Sequence, residues 1–546
     1  QCDLLTNGNV LEGGAKGRIR CFKRAQELAG VRFFRHLSGH KPLLSQYVEE
    51  IQPSIKHPAH TFDLVTKKGV FQTLERLESN RERVRNNWGL THPLHLEILT
   101  SLADVHALSA TSLDTAEDML AEVSALAKRG HGTSSGAYIE SLLHQGQFLL
   151  RRGKFHAALG PLGRARQALD NVSGAQLAAV LRAIGRCLLA LGEISQSASL
   201  VMEAKQIVDD VFGYGKAEIV TSYLLAAELQ VATNEANVAD ELVARARDTS
   251  QAQLGNHPDH ARALYIKALL STTKGRHSKA MSYLEASATM YASTLGGDSL
   301  EVGQVAMLRA RVELSRGRFK SAKKALEIAD SIIRFRLGED SVCYGEVLYL
   351  KAKQRISVGN HSEGKQFLAK SREIVSEKLM PGQTVSVQCD SCPPIMCQIL
   401  ILSARLNVDF GRLEAAEKEL AIARQSTFLS FGEGPMLGDI LVEISRVKHV
   451  KGEVAICEEL TRRALGCYSK LAGDRNPRVA MASVELAHAL AAMARYDEAL
   501  TLASSGLKCL LAVCGPRHFD TARGYMVQGS LFMDIREDTA SRESLE

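Results

Sequence analysis

The chain has 546 residues, of which 45% are apolar and 23% are charged, so it is expected to fold rather than to be intrinsically disordered. No apolar run approaches the roughly 18 residues that a transmembrane helix requires, so no membrane span is expected. The net charge is only +6, and the 11 cysteines form no regular framework. We therefore do not expect a secreted disulfide scaffold, and we expect an intracellular protein.

The first 56 residues are predicted to form a basic N-terminal arm or cap. Between residues 16 and 41, eight basic residues accompany a single acidic one, while the rest of the chain is close to neutral. A nucleic-acid-binding surface along the chain is therefore not expected. The basic cluster has three interpretations: a solvated cap on the first repeat, an arm that docks on an acidic protein surface, or the remnant of a mitochondrial presequence. The arm residues of interest are Arg18, Arg20, Lys23, Arg24, Arg32 and Arg35.

From residue 57 onward, one short motif returns at a nearly constant interval. It consists of a glycine, any residue, an apolar residue, two further residues and a small residue, as in Gly153–Ala158, Gly317–Ala322 and Gly411–Ala416. With the first residue as a marker, repeats fall at positions 69, 111, 153, 192, 234, 275, 317, 359, 411, 452 and 494. All intervals but one are 39 to 42 residues long. This regularity predicts copies of one supersecondary unit rather than an irregular domain.

Small residues occupy three fixed positions relative to the marker. Alanine, glycine, serine or cysteine stands seven residues before it, five after it and twelve after it in nine or ten of the eleven repeats. A Leu or Val usually stands nine residues after it. Two antiparallel helices joined by a short turn need small side chains where their axes come closest. The period therefore predicts helix pairs with a turn at each marker.

This arrangement resembles the tetratricopeptide repeat, and the 42-residue interval resembles the longer variant of kinesin light chains. The links Trp88–Pro93 and Leu254–Pro258 are similar to the Leu-Gly-x-x-His-Pro-like segment between those repeats. The resemblance covers about residues 57–535. It implies an all-α fold, an α-solenoid of about eleven helix pairs in a right-handed superhelix, in which the first helix of each pair lines a concave groove.

One interval, between markers 359 and 411, is 52 residues long. We therefore divide the solenoid into an N-terminal part, 57–380, an inserted loop, 381–397, and a C-terminal part, 398–535, followed by a polar tail, 536–546. The loop contains Cys389, Cys392 and Cys397. A Cys-x-x-Cys pair is half of a zinc site or a redox pair, but no second half follows, so we predict no metal and interpret the segment as an ordinary loop.

No enzyme and no cofactor are predicted. The segment Gly132–Gly136 matches the Gly-x-Ser-x-Gly pattern of hydrolases, but that pattern requires a preceding strand, and here it lies between predicted helices. The segment Gly13–Gly17 is too short for a phosphate-binding loop and lacks its Ser or Thr. With no strands predicted, these matches are interpreted as coincidental.

The resemblance implies that the residue six positions before each marker faces the concave groove. Four successive repeats, from Arg311 to Arg446, place a cation there, and an acidic peptide would fit such a series. The alternative is that each cation pairs with a neighbouring Asp or Glu. The predicted partner-binding residues at this position are Arg186, Arg311, Lys353, Arg405, Arg446 and His488.

These features predict a non-enzymatic scaffold for protein–protein interaction inside a large multi-subunit assembly. We expect a cytoskeletal or axonemal setting, with other proteins, acidic peptide segments or an acidic filament surface as partners. One alternative is a kinesin-light-chain-like adaptor that binds acidic peptides in its concave groove. Another is an accessory subunit of a mitochondrial complex.

Overall fold

The computed structural model describes residues 67–545 except for 108–111, 170–173, 214–218, 383–391 and 469–475, and it describes side chains between residues 74 and 536. The basic arm of residues 1–56 lies outside this range. The described part contains 22 α-helices and no strand. They are α1 (Lys67–Trp88), α2 (Pro93–His106), α3 (Leu113–His131), α4 (Gly136–Arg151), α5 (Phe155–Ala168), α6 (Ala175–Leu191), α7 (Ile194–Phe212), α8 (Val220–Ala232), α9 (Ala236–Gln253), α10 (Pro258–Thr273), α11 (His277–Thr294), α12 (Leu300–Ser315), α13 (Phe319–Leu337), α14 (Val342–Ser357), α15 (His361–Leu379), α16 (Pro394–Asp409), α17 (Leu413–Phe431), α18 (Pro435–Val450), α19 (Val454–Tyr468), α20 (Pro477–Ala491), α21 (Tyr496–Val513) and α22 (Phe519–Leu545).

The helices form ten antiparallel pairs, from α2–α3 to α20–α21, with one single helix at each end. The all-helical repeat solenoid of the tetratricopeptide type is thereby confirmed. The marker at Gly69 is wrong, because this glycine lies inside α1 and not at a turn. Helix α22 continues to Leu545, through the segment interpreted as a polar tail, and α16 begins at Pro394, within the segment interpreted as an inserted loop.

Small residues do lie where the two helices of a pair approach most closely. Ala227, Ala310 and Ala404, each seven residues before a marker, are completely buried. At the same position in the α4–α5 pair, a Cβ atom built on Gly146 would lie 2.4 Å from the Leu162 side chain. That leucine stands nine residues after the marker. The leucine side chain on the second helix therefore packs against the small residue on the first helix. This contact explains why both residue types recur in the repeats.

The marker residues end the first helix of each pair in a left-handed conformation. Glycine is preferred there because it has no Cβ to clash with the following carbonyl. Seven of the described markers are glycines with φ between 65° and 92°, while Asn234 and Ala494 have φ of 66° and 58°. Each turn then starts the second helix two residues later, as Gly317 does before Phe319.

The solenoid curves with the first helices on its inner side. First helices of successive repeats pack against each other, as α8 does against α10 and α20 against α22. Second helices of successive repeats make no comparable contact in the described part of the chain. Because the first helices are closer together, they lie on the concave side of the solenoid. The side chains of the first helices that point away from the second helices therefore line the concave face.

The curvature brings several of the turns against the link that precedes the first helix five repeats later. The turn at Gly153 touches Val342 at the start of α14, and the turn at Gly192 touches Cys392 before α16. The turn at Gly317 touches the backbone of Cys514 before α22. We call this line of contacts between successive superhelical turns the seam.

Hydrogen bonds cross the seam as well as van der Waals contacts. The His156 Nε2–H donates to the Leu379 carbonyl at 2.9 Å, and the Asn476 amide donates to the Thr273 carbonyl at 3.1 Å. Asn476 also caps α20, because its Oδ1 accepts from the Arg478 N–H at 3.0 Å. One N-cap side chain thus serves both its own helix and the neighbouring superhelical turn.

We predict that Gly192→Ala destabilises the protein more than Gly411→Ala does. Both glycines are left-handed, so each substitution costs about 1 kcal/mol of backbone strain. At Gly192 the added methyl would also lie 3.1 Å from the Cys392 carbonyl across the seam, whereas at Gly411 no atom lies within 4 Å. Urea denaturation should show an additional loss of about 1–2 kcal/mol for Gly192→Ala, from overpacking. Equal losses would contradict the seam.

Candidate functional site

The side chains that were predicted from the sequence to bind a partner lie on the concave face and fall into two groups. Some pair with carboxylates of the same face, and others have no acidic partner among the described residues. Four of the predicted side chains, those of Arg405, Arg446, Arg311 and Lys353, show the division most clearly.

In the C-terminal part, five alternating charges form a continuous series across four first helices. Arg405 on α16 donates to Glu443 on α18 at 2.7 Å, and Glu443 also accepts from Arg446 at 2.9 Å. Arg446 reaches Glu485 on α20 at 2.7 Å, and Glu485 accepts from Arg523 on α22. We call this series the ion-pair chain. It ties successive repeats together along the concave face.

Glu485 and Arg446 of the ion-pair chain are held in their charged forms by their partners, although burial opposes ionisation. Burial opposes ionisation of Glu485, but the guanidinium groups of Arg446 and Arg523 prevail and lower its pKa to about 2. Arg446 is also buried, and Glu443 and Glu485 raise its pKa although burial acts in the opposite direction. Its Nη2 atom nevertheless has no hydrogen-bond partner in the described structure.

These contacts correct the predicted ladder of free cations. Arg405 and Arg446 are engaged by Glu443 and Glu485, so the alternative of pairing with neighbouring acids applies to them. His488 is not a cation at neutral pH, because burial and the adjacent His449 lower its pKa to about 4. The two imidazole rings lie 3.6 Å apart between centroids.

Lys353 on α14 is different, because its ammonium group forms no ion pair with a described side chain. Burial, together with the nearby guanidinium groups of Arg405 and Arg311, lowers its pKa to about 8. Asp520 and Asp439 act in the opposite direction but do not pair with it. Lys353 is therefore still mostly protonated at neutral pH, with an unsatisfied charge.

Arg311 on α12 stands one repeat before Lys353 and also lacks an ion pair within the described part. Burial raises the pKa of Glu346, and Arg311 only partly offsets this effect. Two tyrosines, Tyr265 and Tyr349, experience the charge of Arg311, and burial raises the pKa of both. Arg311 and Lys353 thus form a positive pair beside aromatic side chains, which we call the central cation pair.

The N-terminal part of the concave face holds Arg186, another predicted side chain. It makes no ion pair with a described residue. Its side chain is accessible to solvent, but its enclosure by the surrounding repeats, together with the charge of Arg262, lowers its pKa. The acid nearby, Glu228 on α8, is held in a bidentate pair by Arg262 on α10 at 3.0 and 2.8 Å. Glu228 is therefore not available to neutralise Arg186.

The cysteines of the predicted loop are placed only in part. Cys389 lies outside the described residues. Cys392 and Cys397 are completely buried, and the Cys397 sulfur lies 4.0 Å from the Cys392 carbonyl oxygen. Across the residues that are described, no three His, Cys, Asp or Glu side chains gather as metal ligands.

The segment Gly132–Gly136 connects two helices. Gly132 follows the end of α3 with φ of 84°, and Ser135 caps α4 by accepting from the Tyr138 N–H. A nucleophile elbow needs a strand before the serine, which this link lacks.

No helix in the described ranges is long and apolar enough to cross a membrane.

The acidic members of the ion-pair chain, Glu443 and Glu485, were not predicted from the sequence. Glu443 and Glu485 stand nine residues before their markers, where most other repeats carry Leu or Ile. The exchange of an apolar residue for Glu at this position, three residues before Arg446 in one case, was a signal for pairing along a helix. Only the structure shows that Arg523, on the last helix, also joins the series.

No protein-family profile matches the chain, and no curated protein matches it in sequence. Among solved structures, the Rap conjugation gene regulator of plasmid pLS20 in complex with the Phr* peptide is 15% identical, covers 67% of this chain and 98% of its own, and has a TM-score of 0.42. A Rap protein complexed with competence and sporulation factor is 14% identical over 78% and 98%, with a TM-score of 0.40. The apo quorum sensor NprR of B. thuringiensis is 13% identical over 68% and 97%, with a TM-score of 0.41.

We predict that Glu485→Gln destabilises the protein strongly at neutral pH. The substitution leaves Arg446 and Arg523 without their shared buried counter-charge, which typically costs about 3 kcal/mol or more. Because the folded-state pKa of Glu485 is lowered to about 2, its contribution is complete above the unfolded value and is lost as the pH falls towards 2. Urea denaturation at neutral pH should therefore show a larger difference between variant and wild type than denaturation near pH 3.

The matched control is Glu433→Gln, since Glu433 pairs with Arg463 at 2.9 Å but is 59% exposed. Exposed pairs contribute little, so this variant should behave like the wild type within about 0.5 kcal/mol. A loss for Glu485→Gln no larger than that of the control would show that the ion-pair chain does not stabilise the solenoid.

Proposed function

We propose that this chain is a non-enzymatic scaffold for protein–protein interaction whose concave face binds an acidic segment of a partner protein at the central cation pair. The observation that carries the proposal is the unpaired ammonium of Lys353. Lys353 is partly buried. A partly buried cation without a counter-charge costs stability, and such groups are typical of sites whose counter-charge is a ligand.

The contrast with the ion-pair chain supports a ligand role for the central cation pair. Two and four helices further along, Arg405 and Arg446 have carboxylate partners within the chain. Arg311 and Lys353 lie on the same concave face, at the same position in their repeats, without such partners. An acidic side chain or a terminal carboxylate of a partner would extend the alternation of charges by one or two repeats.

The surroundings favour a peptide over a small anion. Tyr265, which is only partly buried, lies in the electrostatic range of Arg311, and its aromatic ring offers apolar contact area for a chain segment. Asp520 on α22 acts on Lys353 from the end of the described solenoid. A ligand at Lys353 is therefore surrounded by first helices of several repeats, as an extended segment inside a superhelix would be.

The cellular setting remains a separate hypothesis. A cytoskeletal or axonemal assembly, a kinesin-light-chain-like adaptor and an accessory subunit of a mitochondrial complex all use a scaffold of this kind. The basic arm, Arg18 to Arg35, would contribute a second contact in each. Of these, the adaptor is the one that the unpaired central cation pair favours, since an adaptor needs a site for a peptide.

We expect the double variant Arg311→Glu and Lys353→Glu to lose binding of acidic peptides without loss of helicity. Two reversed charges should weaken the binding of a fluorescein-labelled peptide pool rich in Asp and Glu by about thirtyfold or more, as judged by fluorescence anisotropy. The matched control is Lys320→Glu with Lys324→Glu, which makes the same charge change at two exposed positions of α13. Equal affinities of the two double variants would overturn the proposal.

Binding should also depend on pH through Lys353. The protonated ammonium attracts the acidic ligand, and in the free protein it loses its proton as the pH rises through about 8. Affinity should therefore fall about threefold to tenfold between about pH 7 and pH 9.5, and Lys353→Arg should remove most of this fall. An unchanged pH profile in Lys353→Arg would mean that another group controls binding.

A further inference from the structure

Two arginines stand one turn apart on α6 and share the concave face. Arg182 is partly exposed and its Nη1 donates to the Ser222 Oγ on α8 at 2.7 Å, which holds the guanidinium in place. Arg186 is exposed and has neither a hydrogen bond nor an ion pair from its side chain to a described residue. The two side chains therefore offer one positioned and one free guanidinium on the same side of the helix.

The surroundings leave this pair with excess positive charge. Arg262 and Arg151 both act on Arg186 as further cations. Two acids act in the opposite direction: Glu228, which is occupied by the two-point contact with Arg262, and Asp259, which acts on Arg182. Burial and the charge of Arg262 lower the pKa of Arg182 to about 10, so this guanidinium remains charged at neutral pH. The cations Arg182, Arg186, Arg262 and Arg151 outnumber the acids that act on the pair.

We propose that Arg182 and Arg186 bind a phosphoryl group, and that this group is carried by the partner segment that lies in the concave groove. A phosphate monoester has three terminal oxygens and nearly two negative charges at neutral pH, which matches two adjacent guanidinium forks. A single carboxylate would neutralise only half of the pair. The second part of the proposal, that the phosphoryl group belongs to a protein segment, rests on the proposed function.

The position of the arginine pair suits a second contact with the same ligand. Helix α6 lies three repeats before α12, which carries Arg311, and both helices contribute to one concave face. Glu228 and Arg262 between them are mutually satisfied and offer no free charge. A segment with a phosphorylated residue and an acidic stretch a few repeats apart would therefore meet two positive sites separated by a neutral interval.

The first probe is inorganic phosphate. Its binding is measured as broadening of the phosphorus NMR line when the protein is added. The wild-type chain should broaden the signal, and more strongly above the second ionisation of phosphate than below it. Arg186→Gln should reduce the apparent affinity about fivefold or more. Because Arg186 makes no contact that the fold needs, this variant is expected to retain its helicity and its urea midpoint.

The matched control is Arg166→Gln, which removes the same charge from an exposed position of the second helix α5. Broadening equal to the wild type in the control and reduced broadening in Arg186→Gln would support the site. Equal broadening in both variants would overturn it. Arg182→Lys gives an independent check, since it keeps the charge but loses the fork, and it should also weaken phosphate binding.

A second arm separates a phosphorylated protein segment from free phosphate compounds. Two labelled acidic peptides are compared, identical except for one phosphoserine in place of serine. The phosphoserine should raise affinity for the wild type about tenfold and have little effect in Arg186→Gln. Binding of inorganic phosphate without any gain from phosphoserine would overturn the assignment to a protein segment. Loss of peptide binding in the Arg311 and Lys353 double variant, with phosphate binding intact, would keep the two sites distinguishable.

Discussion

The seam between successive superhelical turns is the contact on which the rest of the structure depends. A solenoid repeat touches only its neighbours, so its curvature is ordinarily the sum of small rotations between adjacent pairs. Here the turns at Gly153, Gly192 and Gly317 also meet links five repeats later, and side chains such as His156 add hydrogen bonds between residues more than 200 positions apart. The seam fixes how many repeats complete a turn, and thereby which first helices face each other across the concave face.

Charge on the concave face is arranged within this fixed curvature. The ion-pair chain from Arg405 to Arg523 joins four first helices and leaves little charge for a ligand. Arg311 and Lys353 lie next to it without carboxylate partners, and Arg186 repeats the situation closer to the N-terminus. The paired charges stabilise the solenoid, and we propose that the unpaired ones are completed by a ligand. The free energy that the unpaired Lys353 costs the folded protein is the physical reason for this proposal.

The local fold could be predicted from the sequence because each repeat is specified by nearby residues. The glycine at a turn and the small residue seven positions before it, as at Gly153 and Gly146, encode a helix pair through contacts within about 20 residues. The seam could not be predicted, because Gly192 and Gly411 look alike in sequence and only one of them meets another turn. For the same reason, the sequence could not predict which cations are free and which are paired. Glu443 contacts Arg405 only when adjacent repeats stack.

The most direct measurement of the central claim is amine cross-linking of the isolated monomer, read out by mass spectrometry. Lys154 and Lys378 each lie within two residues of the hydrogen bond that joins His156 to the Leu379 carbonyl across the seam. A short cross-linker should join these two lysines within one chain, and mixing isotope-labelled with unlabelled protein should show no cross-link between chains. Recovery of this intramolecular cross-link is the result that the account predicts. Its absence, while cross-links within single repeats form normally, would show that the superhelical turns stand apart and that the concave face is not closed by the seam.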